Sequence, residues 1–166
     1  KTSTLLRGVH TLLRSADYST PPVEIAAKRR ILAEEFPLDV LLVEDNVVNQ
    51  KVALRFLERL GYRADCVSNG LEAVQAVESR RFDLVLMDLQ MPVMDGYGAI
   101  EQIMSMRPTP IVVLSSRATR NQMQTAFEAI RRGALEVLPK PEDTASWQQL
   151  AESLPETVRA VAEVQA

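Results

Sequence analysis

Five reactive side chains stand at or just beyond the ends of apolar runs in this sequence. Glu44 and Asp45 follow Leu41-Leu42-Val43, Asp88 follows Leu84-Val85-Leu86-Met87, Ser115 follows Ile111-Val112-Val113-Leu114, and Lys140 follows Leu138-Pro139. Three carboxylates converging with one hydroxyl and one ammonium would form an acidic metal pocket with a clamp for phosphoryl oxygens. Carboxylates within a few ångströms of one another repel, and a hard, oxygen-preferring cation such as Mg²⁺ is their natural neutraliser. A carboxylate is also a competent nucleophile toward phosphorus and gives an aspartyl phosphate. Charge on the equatorial oxygens can then be screened by the cation and the lysine, which is most of what phosphoryl transfer requires.

These side chains need a scaffold that gathers strand ends. From Leu38 onward, short β-branched or leucine-rich runs alternate with amphipathic stretches of helical length, the pattern of βα units around a parallel sheet. The runs predict strands over 38–43, 62–67, 83–88, 110–115 and 135–138, and helices over 47–60, 71–80, 97–106, 118–132 and 144–154. The first, third and fourth strands are nearly continuous apolar runs, as expected of strands covered on both faces. In such a sheet ligands bind beyond the carboxyl ends of the strands, where the reactive residues lie. Gly61 and Gly133 are placed to end helices in the left-handed conformation. Asn69-Gly70 is read as a strand-to-helix turn, since Leu71–Val77 has helical periodicity, and Asp95-Gly96 as a turn and helix start. Pro155 is expected to break the last helix, leaving 155–166 as a helical tail.

The chain has 166 residues, 46% hydrophobic and 25% charged, the composition of an ordinary globular protein. A net charge of -3, with scattered basic residues, disfavours direct nucleic-acid binding. No apolar run approaches the roughly 20 residues needed to span a bilayer. A single cysteine, Cys66, suits a reducing cytoplasm and reads as a small core residue. The start at Lys1 suggests a segment of a longer protein. Residues 1–36 carry six Lys and Arg against four Asp and Glu, leaving 13 against 18 for the remainder, so a boundary is expected near Pro37. Leu5, Leu6, Val9, Leu12 and Leu13 lie on one helical face, Pro21-Pro22 marks a linker, and a second short helix is expected over 23–34. The division is therefore 1–36 as a helical linker or extension, 37–154 as the main domain and 155–166 as the tail.

The motifs resemble the receiver domain of two-component response regulators and hybrid histidine kinases. The resemblance rests on Leu41-Leu42-Val43-Glu44-Asp45-Asn46 with Asn49-Gln50, on Leu86-Met87-Asp88-Leu89-Gln90-Met91-Pro92-Val93-Met94-Asp95-Gly96, on Val113-Leu114-Ser115-Ser116, and on Leu138-Pro139-Lys140-Pro141. The first half looks like the receiver of a hybrid histidine kinase, and the stretches around 106–113 and 133–141 look like that of a chemotaxis methylesterase. The resemblance implies a flavodoxin-like α/β fold: a doubly wound five-stranded parallel sheet of order 2-1-3-4-5, with helices on both faces and the N-terminal helical segment added. It implies Asp88 as phosphoacceptor, Glu44, Asp45, Asp88 and the Gln90 backbone carbonyl around Mg²⁺, Ser115 as switch hydroxyl and Lys140 as its phosphoryl ion pair. It further implies a cytoplasmic, bacterial signalling domain that takes phosphate from a histidine kinase or histidine phosphotransfer protein. Such a domain catalyses only its own phosphorylation and dephosphorylation, and the parent chain would be a candidate hybrid kinase. One departure is that Val137 stands three residues before the lysine, where many receivers carry Phe or Tyr.

Other readings of the same residues are a degenerate receiver that binds partners without phosphorylation, a nucleotide- or flavin-binding module of the same fold, and an aspartate-dependent phosphatase. The nucleotide reading lacks both G-x-G-x-x-G and G-x-x-x-x-G-K-[ST]. The phosphatase pattern places its nucleophile on the first strand rather than the third. His10 sits in a leucine-rich stretch without the surroundings of a phosphorylatable histidine and is read as structural.

Overall fold

The computed structural model describes residues 33–116 and 121–165. Five strands, β1 (Val40–Val43), β2 (Ala64–Val67), β3 (Leu84–Asp88), β4 (Ile111–Ser115) and β5 (Glu136–Pro139), form one parallel sheet of order β2-β1-β3-β4-β5. Every pair is in parallel register, with Val40 opposite both Ala64 and Leu84, and Val112 opposite Glu136. The helices are α1 (Val47–Arg59), α2 (Gly70–Ser79), α3 (Gly96–Met106), α4 (Gln122–Arg132) and α5 (Thr144–Gln165). None of the described helices is long and apolar enough to cross a membrane.

Period-two alternation along each strand sends successive side chains to opposite faces and builds two cores. On one face Val40, Leu42, Leu84, Leu86, Val112, Leu114 and Leu138 pack against Ala53 and Leu57 of α1 and Leu150, Leu154, Val158 and Val161 of α5. On the other, Leu41, Val43, Val85, Met87, Ile111 and Val113 meet α2, α3 and α4. Burying each large aliphatic side chain contributes roughly 1.5–3 kcal/mol, so the central strands are pinned from both sides.

The strands are shorter at their starts than the apolar runs. Asp39 donates its backbone N–H to the Asp83 carboxylate at 2.7 Å and so leaves the ladder before Val40. The left-handed glycines are where the sequence places them, with φ of 91° at Gly61 and 117° at Gly133. Asn69 and Asp95 cap α2 and α3 by accepting from Glu72 N and Gly98 N. Cys66 is partly buried against the core.

The last helix departs from the sequence reading. It does not break at Pro155 but runs on to Gln165. Proline inside a helix removes one donor and costs about 3 kcal/mol. Here Leu150, Leu154, Val158 and Val161 form one stripe across that proline, all buried on the sheet, and their packing outweighs the lost bond. Residues 33–35 are helical, and Ala33 and Phe36 pack on the same core. The amphipathic stretch at 5–13, the Pro-Pro linker and His10 lie outside the described residues, as does most of the helix expected over 23–34.

Candidate functional site

The carboxyl ends of β1, β3, β4 and β5 bring the predicted side chains together. Glu44 and Asp88 are buried, at 4% and 6% exposure, whereas Asp45 is exposed. Carboxylate oxygens of all three lie within 4.8 Å of one another. Lys140 spans two of them: its Nζ lies 2.7 Å from Glu44 Oε2 and 2.9 Å from Asp88 Oδ2. The Asp88 Oδ1 accepts from the Gln90 backbone N–H at 3.3 Å. Burial by itself pulls the Lys140 pKa down, but hydrogen bonds to Glu44 and Asp88 and the charges of both carboxylates outweigh it and hold the ammonium above its ordinary lysine value.

Local structure explains each placement. Glu44 N–H donates to Val67 O at 3.1 Å, carrying the β1–β2 ladder one residue past the strand. Asn46 then caps α1, its side chain accepting from Val48 N and Asn49 N. The Lys140 N–H donates to Ser115 O at 2.7 Å, so the ends of β4 and β5 are locked together. Gly96 is required by close approach: a Cβ there would lie 2.5 Å from Asp88 O and 2.7 Å from Leu89 Cα. A side chain at this position would lift α3 off the end of β3 and displace Asp88. Ser115, Asp45, Asp88 and Gln90 line one open cavity of about 540 Å³, together with Tyr97 from α3 and Thr125 from α4.

Three features were not legible in the sequence. Val93 has a φ of 66°, and Met94 N–H donates to Pro92 O at 2.8 Å, a γ-turn in the loop after Asp88. A β-branched residue at positive φ is an outlier, and only the adjacent Pro92 signalled a turn. Tyr97 and Thr125 enter the cavity from helices whose periodicity marks them only as half-buried. Asn49 and Gln50 are side-chain donors to Glu44 itself, to Oε1 at 3.2 Å and to the backbone carbonyl at 2.6 Å. Val137, at the place of the missing aromatic, packs partly buried against the α2–α3–α4 core and lines a second cavity of about 330 Å³ with Ser115, Ala126 and Leu138.

A doubly wound parallel sheet with a lysine-bridged acidic cluster at its carboxyl edge is the architecture of phosphorylatable signalling domains. Residues 40–152 match the model of the response regulator receiver domain, and the chain belongs to that family. A protein-glutamate methylesterase/protein-glutamine glutaminase of Hahella chejuensis is 38% identical over 130 residues, which cover 76% of this chain but 37% of that protein. The chain therefore spans little more than a third of that curated relative. Among solved structures, the receiver domain of a sensor histidine kinase from Pseudomonas aeruginosa, with a magnesium ion coordinated in its active-site cleft, is 34% identical with a TM-score of 0.59, covering 72% of this chain and 98% of that one. The receiver domain of the Saccharomyces cerevisiae response regulator Ssk1, solved with the histidine phosphotransfer signaling protein Ypd1, is 28% identical with a TM-score of 0.65, covering 78% of this chain and 91% of that one.

Proposed function

We propose that Asp88 is the phosphoacceptor of a phosphorelay, taking a phosphoryl group from a phosphohistidine. The observation that carries the reading is the ammonium of Lys140 shared between buried Glu44 and Asp88 beside the open carboxylate of Asp45. An Asp88 carboxylate oxygen attacks phosphorus as the P–N bond breaks, and the bonding pair leaves with the imidazole. Water attacking the same phosphorus later releases phosphate and restores the carboxylate. Lys140 would hold an oxygen of the transferred group, and Ser115, which lines one cavity with Asp88, would offer it a hydroxyl.

The donor set is all oxygen, which fits Mg²⁺. Asp45, Asp88, Glu44 and the Gln90 carbonyl are the residues we assign to hold it, and the ion would supply charge neutralisation for the incoming phosphoryl group. The phosphodonor is a histidine kinase or histidine phosphotransfer protein. Val47, Val48 and Val52 are exposed on α1, and Val48 and Val52 line a groove with Lys140, so this face offers such a protein an apolar landing beside the lysine. The domain catalyses its own phosphorylation and dephosphorylation in the cytoplasm, without a further substrate.

Incubation with acetyl phosphate and Mg²⁺, read by intact mass, tests the reading. Wild type should gain one phosphoryl group and Asp88→Asn none, because the amide is nearly isosteric but cannot act as the nucleophile. Equal labelling of the variant would reject Asp88.

A further inference from the structure

Resting on the phosphoacceptor reading, we infer that Asn49 is a positioning residue for the reaction: it fixes the plane of the Glu44 carboxylate so that Lys140 is shared with Asp88. Glu44 is buried and uses both carboxylate oxygens. Its Oε2 takes Lys140 at 2.7 Å. Its Oε1 accepts from two donors at 3.2 Å, the Asn46 backbone N–H and the Asn49 side-chain amide. Without Asn49, Oε1 would keep the Asn46 N–H alone, opposite a lysine on a flexible stem, and the terminal torsion of a glutamate is soft. A second donor on the same oxygen removes the freedom. Gln50 holds the residue from behind, its amide donating to Glu44 O at 2.6 Å and to Ser68 Oγ at 3.1 Å, which ties the start of α1 to the loop after β2.

The consequence falls on Asp88. With Glu44 Oε2 aimed at it, the ammonium sits 2.9 Å from Asp88 Oδ2 without being captured by that carboxylate alone. Once an Asp88 oxygen becomes the bridging oxygen of an acyl phosphate and the carboxylate loses its charge, Glu44 still anchors the ammonium within reach of the new phosphoryl oxygens. A Glu44 left to pivot toward Asp45 would let Lys140 collapse onto Asp88 and mask the nucleophile.

A merely structural role predicts no effect on Lys140 or on phosphorylation at this position. Asn49 is the third residue of α1, where asparagine is a poorer helix former than alanine. Asn49→Ala should then be neutral or stabilising in every respect.

The full chain with ¹⁵N-labelled lysine, of which it has four, separates the two. In metal-free buffer the Lys140 ammonium resonance, assigned by its loss in Lys140→Arg, should shift in Asn49→Ala and shift further in Asn49→Asp, which keeps the shape but replaces a donor by a like charge. With acetyl phosphate and Mg²⁺, phosphorylation of Asn49→Ala should slow about tenfold, the usual scale for losing a group that orients a site ligand. Its melting temperature should not fall. An unmoved Lys140 resonance in both variants, or a wild-type phosphorylation rate in Asn49→Ala, would overturn the assignment. A wild-type chain that takes up no phosphate would defeat the phosphoacceptor reading instead, while the metal-free resonance would still report whether Asn49 governs Glu44 and Lys140.

Discussion

Each end of the sheet carries one basic side chain between two carboxylates. At the carboxyl end Lys140 meets Glu44 at 2.7 Å and Asp88 at 2.9 Å. At the amino end Arg80 meets Asp65 at 2.8 Å and Asp39 at 3.7 Å. The geometry is similar, but the surroundings are not. Side-chain exposure is 17%, 5% and 7% for the lysine cluster, against 44%, 60% and 67% for the arginine cluster. Water and salt screen the arginine and its partners, which add little. The lysine cluster has surrendered its hydration, so each charge depends on the others, and removing one leaves the rest stranded. Distance alone therefore does not identify a site; burial of mutually dependent charges at strand ends does.

That contrast is sharpest for phosphorylation, which Asp88→Asn should abolish and Arg80→Ala should leave at the wild-type rate. For stability, Lys140→Ala should cost on the order of 3 kcal/mol in urea unfolding with chelator present, because two buried carboxylates lose their counter-charge. Added Mg²⁺ should restore part of that loss, since a ligand that binds only the folded state stabilises it. If Lys140→Ala proved no more destabilising than Arg80→Ala, the distinction between the two ends would collapse.

The amino end has its own buried polar group, and it gives a smaller effect. Tyr62 is buried, its hydroxyl donates to Phe36 O at 2.8 Å, and desolvation, with help from Glu35, pushes its pKa from 10.0 up to about 12. A folded-state pKa above the unfolded one means a contribution complete below pH 10.0 that disappears as pH rises through about 12. Urea midpoints followed across that window should fall by the equivalent of about 2 kcal/mol more in wild type than in Tyr62→Phe. Parallel titrations of the two proteins would show that the phenol stays solvated. The smallest effect belongs to Arg80→Ala, which should cost under about 1 kcal/mol, with the cost vanishing at high salt. Its guanidinium also lies 3.9 Å from the centroid of the Phe82 ring, so a loss that persists in salt would measure that packing instead.

Strand content and strand ends were readable because apolar runs stop abruptly at charged residues, and the sheet's parallel arrangement makes those stops neighbours. The strand order followed from the family resemblance and was matched by the structure. Pro155 misled because local backbone chemistry argues for a break, whereas the stripe from Leu150 to Val161 becomes decisive only once a sheet lies beneath it. Asn49 and Gln50 stood inside the matched motif, yet nothing in their spacing says which atom of Glu44 they reach. Val93 could not be anticipated either, since its positive φ belongs to a loop tied to a segment distant in sequence, where Gly70 N–H of α2 donates to Met94 O at 3.0 Å.

The alternation that builds the two cores has a further consequence at the top of the sheet. Every inward strand residue on the α1–α5 side carries an even number, from Val40 to Leu138, and those facing α2, α3 and α4 carry odd ones. Continued to the strand ends, this parity puts Glu44, Asp88 and Lys140 with the first set and Ser115 with the second. The charges that would receive a phosphoryl group thus grow out of one layer, and the hydroxyl that would register its arrival grows out of the other. A single-residue frame shift in β4 would put Leu114 where Ser115 stands and take the hydroxyl from that boundary, separating reception from report.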